Sequence, residues 1–375
     1  MLKLLFLNRD LEFHGGVSNV LLTLAAGNDP SAAKMYFGSM MAPSEAMVER
    51  FLALGIEPIC IGDNGRIGPA VSLRSFIKRE QIDFVVASAF KASLVAKIAC
   101  IGLPCGVVHY IHAVDLILEG KLKRKVFASM SKNDPMLFVS ETVQAAHRPK
   151  SHFGPAAVVY NGVRDPFADE STRPYTRDAR RQFGVADDAL LLCYMGAFVG
   201  WKDHATTLRA FARLDQALSP RLLLIGKGEP GSTVEAQVKQ MNDWRVQIVS
   251  PRPDARRVLG CIDIYVHSSR REGFGLAVVE AMLAGRPVVA TREGAFTEYI
   301  EDGKTGLLAE PGDPDSFASK IEILARDKEL AAQIAAAGRE AALKRFSPAL
   351  CAASIGKFLH DCKDASKMTQ GRPTT

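Results

Sequence analysis

The sequence lacks the features that mark several large classes of protein. Its seven cysteines are odd in number and include no Cys-x-x-Cys pair, so we expect reduced thiols rather than a disulfide framework. No stretch reaches the roughly 18–20 uncharged apolar residues of a membrane-spanning helix. The net charge of +6 falls short of a nucleic-acid-binding signature. These absences favour a cytoplasmic protein that binds no nucleic acid and is at most attached to the inner face of a membrane.

What the sequence does contain is an alternation of strand-like and helix-like segments, which predicts α/β domains with parallel sheets covered by helices. A length of 375 residues favours two domains. A second series of segments begins near Leu190, so two doubly wound halves are predicted. The strands predicted in this second half are 190–195, 221–225, 246–249, 264–267 and 287–290. The helices predicted there include 204–214, 255–261 and 276–284.

The segment 268–280 is the most informative part of the chain. Glu272 and Glu280 bracket a Gly-Phe-Gly turn that opens onto an apolar helix. Since the first amides of a helix have no intrahelical partners, those of Phe274, Gly275 and Leu276 are predicted to bind a phosphate. A carboxylate beside a phosphate should point at hydroxyl groups instead, because like charges repel. A nucleotide-sugar has sugar hydroxyls on both sides of a diphosphate, so it is the ligand class that this arrangement would suit.

This segment resembles the Glu-x7-Glu signature of the retaining glycosyltransferases of family four. The similarity continues through Arg286-Pro-Val-Val-Ala-Thr and Asp302-Gly-Lys-Thr-Gly306-Leu. The resemblance implies the GT-B fold, in which two Rossmann-like doubly wound domains face a central cleft. It places an acceptor-side domain at 1–165 and a nucleotide-sugar-binding domain at 166–345. Residues 346–375 would form a C-terminal helix, which could return to the first domain, and a disordered tail.

The resemblance also implies an activity. The enzyme would move a sugar from a nucleoside diphosphate, UDP or GDP, to a hydroxyl of a glycan or glycolipid acceptor, with retention of anomeric configuration. Synthesis of a polysaccharide, a glycolipid or another glycoconjugate would use such a step. Two alternatives stay open: a nucleotide-sugar epimerase and a non-catalytic GT-B protein that only binds.

Several further residues are expected to bind the donor. Lys202 stands at the lysine position of the family's phosphate loop, where its ammonium would offset the diphosphate charge. Ala197 departs from the family, which usually has arginine there, and Arg270 and Arg271 are the nearest replacements in sequence.

The turns that follow the next two predicted strands would lie by the nucleobase. They contribute Gly226 and Lys227 in one loop and Pro251 and Arg252 in the other. An ordinary strand–helix turn is the alternative for the glycine loop.

In the first half, Gly15 and Gly16 resemble the Gly-Gly turn that family members place across the cleft from the donor. Their spacing differs from Gly-x-Gly-x-x-Gly, and we expect no such pattern to open a helix in this sequence, which disfavours a dinucleotide fold for redox chemistry. A histidine at the end of a nearby strand contacts the donor sugar in the family, and the spacing from Pro104 favours His112 over His109. The alternative for both is a buried, hydrogen-bonded histidine.

The resemblance assigns catalytic roles to His112 and Glu272, and ribose binding to Glu280. No Asp-x-Asp pair suggests a metal clamp on the diphosphate, so we expect activity without a metal or any cofactor beyond the nucleotide-sugar. Residues 116–127 mix cations with apolar residues. They could form a solvated helix face, contact anionic lipid at a membrane surface, or bind an anionic acceptor.

Overall fold

The computed structural model describes residues 1–12, 15–62, 68–114, 121–147, 154–167, 174–228, 233–251 and 255–370. The chain divides into two compact units. The first contains Met1–Gly162 together with Phe346–Thr375, and the second is the continuous segment Val163–Arg345. Each unit is built around one parallel sheet. No helix within the described residues is both long enough and apolar enough to cross a bilayer.

The first unit has a seven-stranded sheet in the order β3-β2-β1-β4-β5-β6-β7. Its strands are β1 (Leu2–Asn8), β2 (Ala33–Ser39), β3 (Ile59–Cys60), β4 (Phe84–Ala87), β5 (Gly106–Ile111), β6 (Met136–Phe138) and β7 (Ala156–Val158). Its helices are α1 (Gly16–Gly27), α2 (Glu45–Leu52), α3 (Pro69–Glu80), α4 (Phe90–Cys100), α5 (Lys121–Met130), α6 (Glu141–His147) and α13 (Pro348–Gln370).

The last helix, α13, packs on α1 within the first unit. A Cβ on Gly27 of α1 would lie only 2.3 Å from the Pro348 carbonyl carbon, so the two backbones are in close contact. Ile355 and Leu359 are fully buried. The helix runs to Gln370.

The second unit has a six-stranded sheet in the order β10-β9-β8-β11-β12-β13. Its strands are β8 (Leu191–Met195), β9 (Arg221–Ile225), β10 (Val246–Val249), β11 (Ile264–His267), β12 (Val288–Thr291) and β13 (Leu307–Ala309). Its helices are α7 (His204–Phe211), α8 (Thr233–Met241), α9 (Leu276–Leu283), α10 (Phe296–Tyr299), α11 (Pro314–Arg326) and α12 (Lys328–Arg345).

The strand order of the second sheet fixes where its functional loops meet. β8 and β11 are neighbours although they are not consecutive, and β9 continues on the other side of β8. In doubly wound sheets, ligands bind at such a reversal, outside the carboxyl ends of the strands. Lys202 lies in the loop after β8, and Glu272 lies in the loop after β11. Because these two strands are neighbours, the two residues lie close together at the same edge of the sheet. The predicted doubly wound fold is confirmed for both sheets.

One predicted element has a different conformation. Residues 255–260 form a 3-10 helix, Ala255–Gly260, where the sequence predicted an α-helix over 255–261. The segment offers fewer than two turns and is followed at once by β11, so it gains few of the i to i−4 hydrogen bonds that favour the α-helix.

The turn between β11 and α9 depends on a glycine. Gly275 precedes α9 with a φ of +86°, a conformation that L residues rarely adopt. A Cβ there would lie 2.5 Å from the Phe296 ring and 3.3 Å from Cγ of Glu272. The Tyr299 hydroxyl donates a hydrogen bond to the Phe274 carbonyl at 2.8 Å. Two aromatic residues of α10, Phe296 and Tyr299, therefore pack directly against this turn and restrict its conformation.

We expect Gly275→Ala to destabilise the protein more than Gly303→Ala. Gly303 has a similar φ of +81° but open space around the position of a Cβ, so its substitution costs only the strain of the backbone, about 1 kcal/mol. Gly275→Ala adds a steric clash, and its total cost should reach about 3 kcal/mol. Urea unfolding of both variants measures the difference. Equal losses of unfolding free energy would show that packing around Gly275 is unimportant.

Candidate active site

The centre of the candidate site is a group of three side chains in the second unit. Lys202 ends the 3-10 turn Gly200–Lys202 after β8, and its Nζ donates a hydrogen bond to Oε2 of Glu272. Nε2 of His267, the last residue of β11, lies 3.3 Å from the same oxygen and 3.5 Å from Lys202 Nζ. The Lys202 and Glu272 side chains are 17% and 14% exposed, and the His267 side chain is 1% exposed. A cation, a carboxylate and an imidazole thus share one largely buried position.

The charges of this group follow from its surroundings. Burial alone would raise the pKa of Glu272, but the Lys202 ammonium and the His267 hydrogen bond outweigh it and lower the pKa to about 2. Burial and the Lys202 charge together lower the pKa of His267 to about 4. At neutral pH, Glu272 is therefore an anion held by Lys202, and His267 is uncharged.

Two tyrosines contact this group of side chains. The Tyr194 ring stacks on the His267 ring at 4.5 Å, and its hydroxyl donates a hydrogen bond to the Lys202 carbonyl at 2.8 Å. The Tyr265 hydroxyl lies 3.2 Å from Nδ1 of His267. His267 is thus a buried residue that contacts both Lys202 and Glu272.

Glu280, in the second turn of α9, is 7% exposed. Its Oε1 accepts a hydrogen bond of 2.7 Å from Nε of Arg256. Sequence reasoning missed Arg256, because nothing in the segment around it distinguishes it from the neighbouring Arg257. The carboxylate expected to bind ribose is thus already paired with a cation that is 39% exposed.

The loops after β9 and β10 lie at the same edge of the sheet. Gly226 is tightly packed: a Cβ there would lie 2.0 Å from the Gly196 carbonyl oxygen. The Lys227 side chain is exposed, and its carbonyl accepts a hydrogen bond from the Phe198 amide at 3.0 Å. Pro251 is half-buried, and Arg252 lies outside the described residues.

The prediction that no Gly-x-Gly-x-x-Gly pattern opens a helix needs correction. Gly226, Gly228 and Gly231 have this spacing between β9 and α8, which by itself is compatible with a dinucleotide site.

The position of the missing arginine, Ala197, is exposed. Of its two suggested replacements, Arg270 donates a hydrogen bond from Nε to Oδ2 of Asp203 at 2.7 Å and packs against Gly312. Arg270 is therefore engaged with Asp203. Arg271 is exposed.

The predicted residues of the first unit have their own surroundings. Gly15 caps α1, and Gly16 begins it with open space around the position of a Cβ. His112 follows β5; its Nε2 lies 3.3 Å from Ser88 Oγ, and its buried Nδ1 has no hydrogen-bond partner among the residues that the structure describes. Burial lowers its pKa to about 3, so the ring is neutral. His109 instead lies fully buried between Ser93 and Asp134, as expected of a structural histidine.

Comparisons with known proteins identify the family. Residues 176–341 match the glycosyl transferases group 1. The N-acetyl-alpha-D-glucosaminyl L-malate synthase of Bacillus anthracis is 26% identical over 288 residues, which are 74% of each chain. D-inositol 3-phosphate glycosyltransferase 1 of Catenulispora acidiphila is 30% identical over 250 residues, 63% of this chain and 59% of that one.

A solved structure gives the same result for the fold. Anabaena HepE in complex with UDP-glucose superposes with a TM-score of 0.82 at 23% identity, covering 96% of this chain and 100% of that one. The sequence resemblance is therefore confirmed. Residues 176–341 match the group 1 glycosyltransferases, and the fold is that of the GT-B structures.

Proposed function

We propose that this glycosyltransferase takes its sugar from a nucleoside diphosphate sugar and transfers it to an acceptor hydroxyl with retention of configuration. The observation that carries the proposal is the arrangement around α9. An ionised carboxylate, Glu272, and a cation, Lys202, lie in contact beside the glycine turn that begins the helix. Such a site offers positive groups to a diphosphate and hydrogen-bond acceptors to the hydroxyls at its two ends.

The chemistry follows from these charges. When the bond between sugar and diphosphate breaks, negative charge grows on the leaving oxygen. The Lys202 ammonium and the amides of Phe274, Gly275 and Leu276 would stabilise that charge, which is electrostatic catalysis of the oxyanion-hole type. Glu272, with its pKa lowered to about 2, would accept hydrogen bonds from sugar hydroxyls at any working pH.

Glu280 would bind the ribose. Its hydrogen bond to Arg256 leaves one carboxylate oxygen for a hydroxyl donor and neutralises the charge that would otherwise repel the diphosphate. Gly226, Lys227, Pro251 and Arg252 are proposed to lie by the base. Gly15, Gly16 and His112 are proposed to act from the first domain, and these roles stay predictions.

The nucleotide and the acceptor are proposed by analogy. HepE is solved with UDP and with UDP-glucose, which makes a UDP-sugar the first donor to test here. A glycan or glycolipid is the acceptor class that we favour. The family does not favour the epimerase or the binding-only alternative. Incubation of the donor without an acceptor would reveal an epimerised product, and absence of donor hydrolysis would indicate binding alone.

We propose a cytoplasmic location. All seven cysteines are unpaired, as is usual in a reducing compartment. Helix α5 also offers a surface to an anionic membrane. Leu122 is 75% exposed and Val126 39%, one turn apart, with the exposed cations Lys123, Arg124 and Lys125 between them. The earlier residues of the predicted 116–127 segment, 116–120, lie outside the described residues.

Calorimetric titration with UDP, GDP and ADP is the central test of the proposed function. We expect one of the three to bind, and Glu280→Ala to weaken its binding by roughly tenfold or more, because a hydrogen bond to a charged group is lost. Glu272→Ala should instead lower the turnover of the matching nucleotide-sugar while nucleotide binding persists. Glu301→Ala, which removes an exposed carboxylate of the same unit, is the control and should change neither quantity. Failure of all three nucleotides to bind would refute the donor assignment.

We expect turnover to be independent of divalent metal, because Lys202 and the helix amides supply the positive charge that a metal would otherwise provide. Turnover measured after dialysis against EDTA should equal that of the untreated enzyme. Loss of activity that Mg²⁺ or Mn²⁺ restores would contradict this prediction.

Sedimentation with lipid vesicles tests the surface of α5. We expect binding to vesicles that contain phosphatidylglycerol, weakening with salt, and no binding to pure phosphatidylcholine. Each cation at a membrane surface contributes about 1 kcal/mol, so Lys123→Glu with Lys125→Glu should weaken binding by about 30-fold or more. Lys239→Glu with Lys328→Glu is the control with the same charge change on exposed residues elsewhere. Equal losses in both double variants would point to net charge instead of α5.

A further inference from the structure

Both ring nitrogens and the ring of His267 are in contact with other side chains. Its Nδ1 lies 3.2 Å from the Tyr265 hydroxyl, and its Nε2 lies 3.3 Å from Oε2 of Glu272. The Tyr194 ring stacks on one face, and the Phe296 ring meets the imidazole edge to face at 5.4 Å. The ring is 1% exposed and is therefore held in one orientation.

A neutral imidazole has one N–H, so the two ring nitrogens must play different roles. Protonation at Nε2 gives a donor to the Glu272 carboxylate and leaves Nδ1 to accept a hydrogen bond from Tyr265. Protonation at Nδ1 would let Nε2 accept from Lys202 Nζ at 3.5 Å, but it would also turn that lone pair toward the closer carboxylate oxygen at 3.3 Å, which is unfavourable. In the first arrangement the Tyr265 hydroxyl donates to Nδ1 in preference to the Met195 carbonyl at 3.1 Å, and its oxygen accepts the Met195 amide hydrogen at 3.3 Å.

We propose that His267 is a positioning residue for Glu272: its Nε2–H holds one carboxylate oxygen, and the Tyr265 hydroxyl fixes the tautomer that makes this possible. The inference rests on the proposed function of Glu272 in holding the donor sugar. Lys202 and His267 both contact Oε2 of Glu272. When a diphosphate attracts the Lys202 ammonium, the hydrogen bond from His267 keeps the carboxylate in place, and the other oxygen can accept sugar hydroxyls.

The role is specific to the ring nitrogen, which gives two matched variants. In His267→Gln the side-chain amide nitrogen can reach the position of Nε2 and donate to Glu272. In His267→Asn the amide reaches only the position of Nδ1, so contact with Tyr265 can persist while the bond to Glu272 is lost. Tyr265→Phe keeps His267 but removes the group that fixes its tautomer. None of these changes removes a proposed diphosphate-binding or ribose-binding group, and the contact of His267 with Lys202 Nζ is long, at 3.5 Å.

The first test is the tautomer itself, measured by long-range ¹H–¹⁵N spectra of the full chain with ¹⁵N-labelled histidine. The His267 signals are identified by their loss in His267→Asn. We expect a protonated Nε2 and an unprotonated Nδ1, with no titration between pH 5.5 and 8. Burial and then the Lys202 charge lower the pKa of this ring, and the Glu272 carboxylate, which raises it, does not offset them. A protonated Nδ1, or a ring that titrates in this range, would overturn the proposal.

The second test separates positioning from stability. We expect His267→Asn to lower kcat by about 10- to 100-fold, the range for loss of a hydrogen bond to a charged group, with little change in UDP binding. His267→Gln should retain kcat within a few-fold, and Tyr265→Phe should give a mixture of tautomers with reduced kcat. Equal losses in His267→Gln and His267→Asn, in step with their melting temperatures, would reduce His267 to a structural residue. Failure of UDP to bind the wild type would instead count against the proposed function, since the tautomer is measured without a donor.

Discussion

The ion pair between Lys202 and Glu272 is the interaction on which the candidate site depends. It joins the loop after β8 to the loop after β11 at the point where the strand order of the second sheet reverses. Two opposite charges that are mostly removed from water are stable only when each is compensated, and here each compensates the other. His267 contacts Glu272, and Tyr194 donates a hydrogen bond to the Lys202 carbonyl, so both residues of the pair are held in place by neighbouring side chains.

The pair would also let one position serve both kinds of group in the proposed donor. A diphosphate needs a cation, whereas a sugar needs hydrogen-bond acceptors, and Lys202 and Glu272 offer one of each in a single contact. Glu280 repeats the arrangement with Arg256. Each carboxylate that would face hydroxyls is thus paired with its own cation.

Much of the fold could be predicted from the sequence, and the reasons differ between elements. The strands 221–225, 246–249 and 264–267 have the bounds of β9, β10 and β11, because continuous apolar runs between turns leave little choice. β2 was not predicted, since Lys34 and Gly38 interrupt its apolar pattern. β13 has only three residues, too few for a periodic signal.

The residues of the site were easier to find than their contacts. Glu272, Glu280 and Lys202 were identified from motifs, but motifs carry no distances, and nothing in them indicated that Lys202 would bind Glu272. Arg256 and the nitrogen-specific contacts of His267 depend on side chains that meet only after the sheet has formed. The resemblance to a family therefore supplied the chemistry of the site, while its internal pairing had to come from the structure.

The path of α13 has a consequence for how the protein is made. Helix α1 is synthesised first, yet the surface that it presents to Pro348 and the helix beyond is covered only when the end of the chain emerges. The second unit, in contrast, is one uninterrupted segment. On the ribosome the second unit can therefore complete its core before the first unit, in which part of α1 stays uncovered until Pro348–Gln370 has been synthesised.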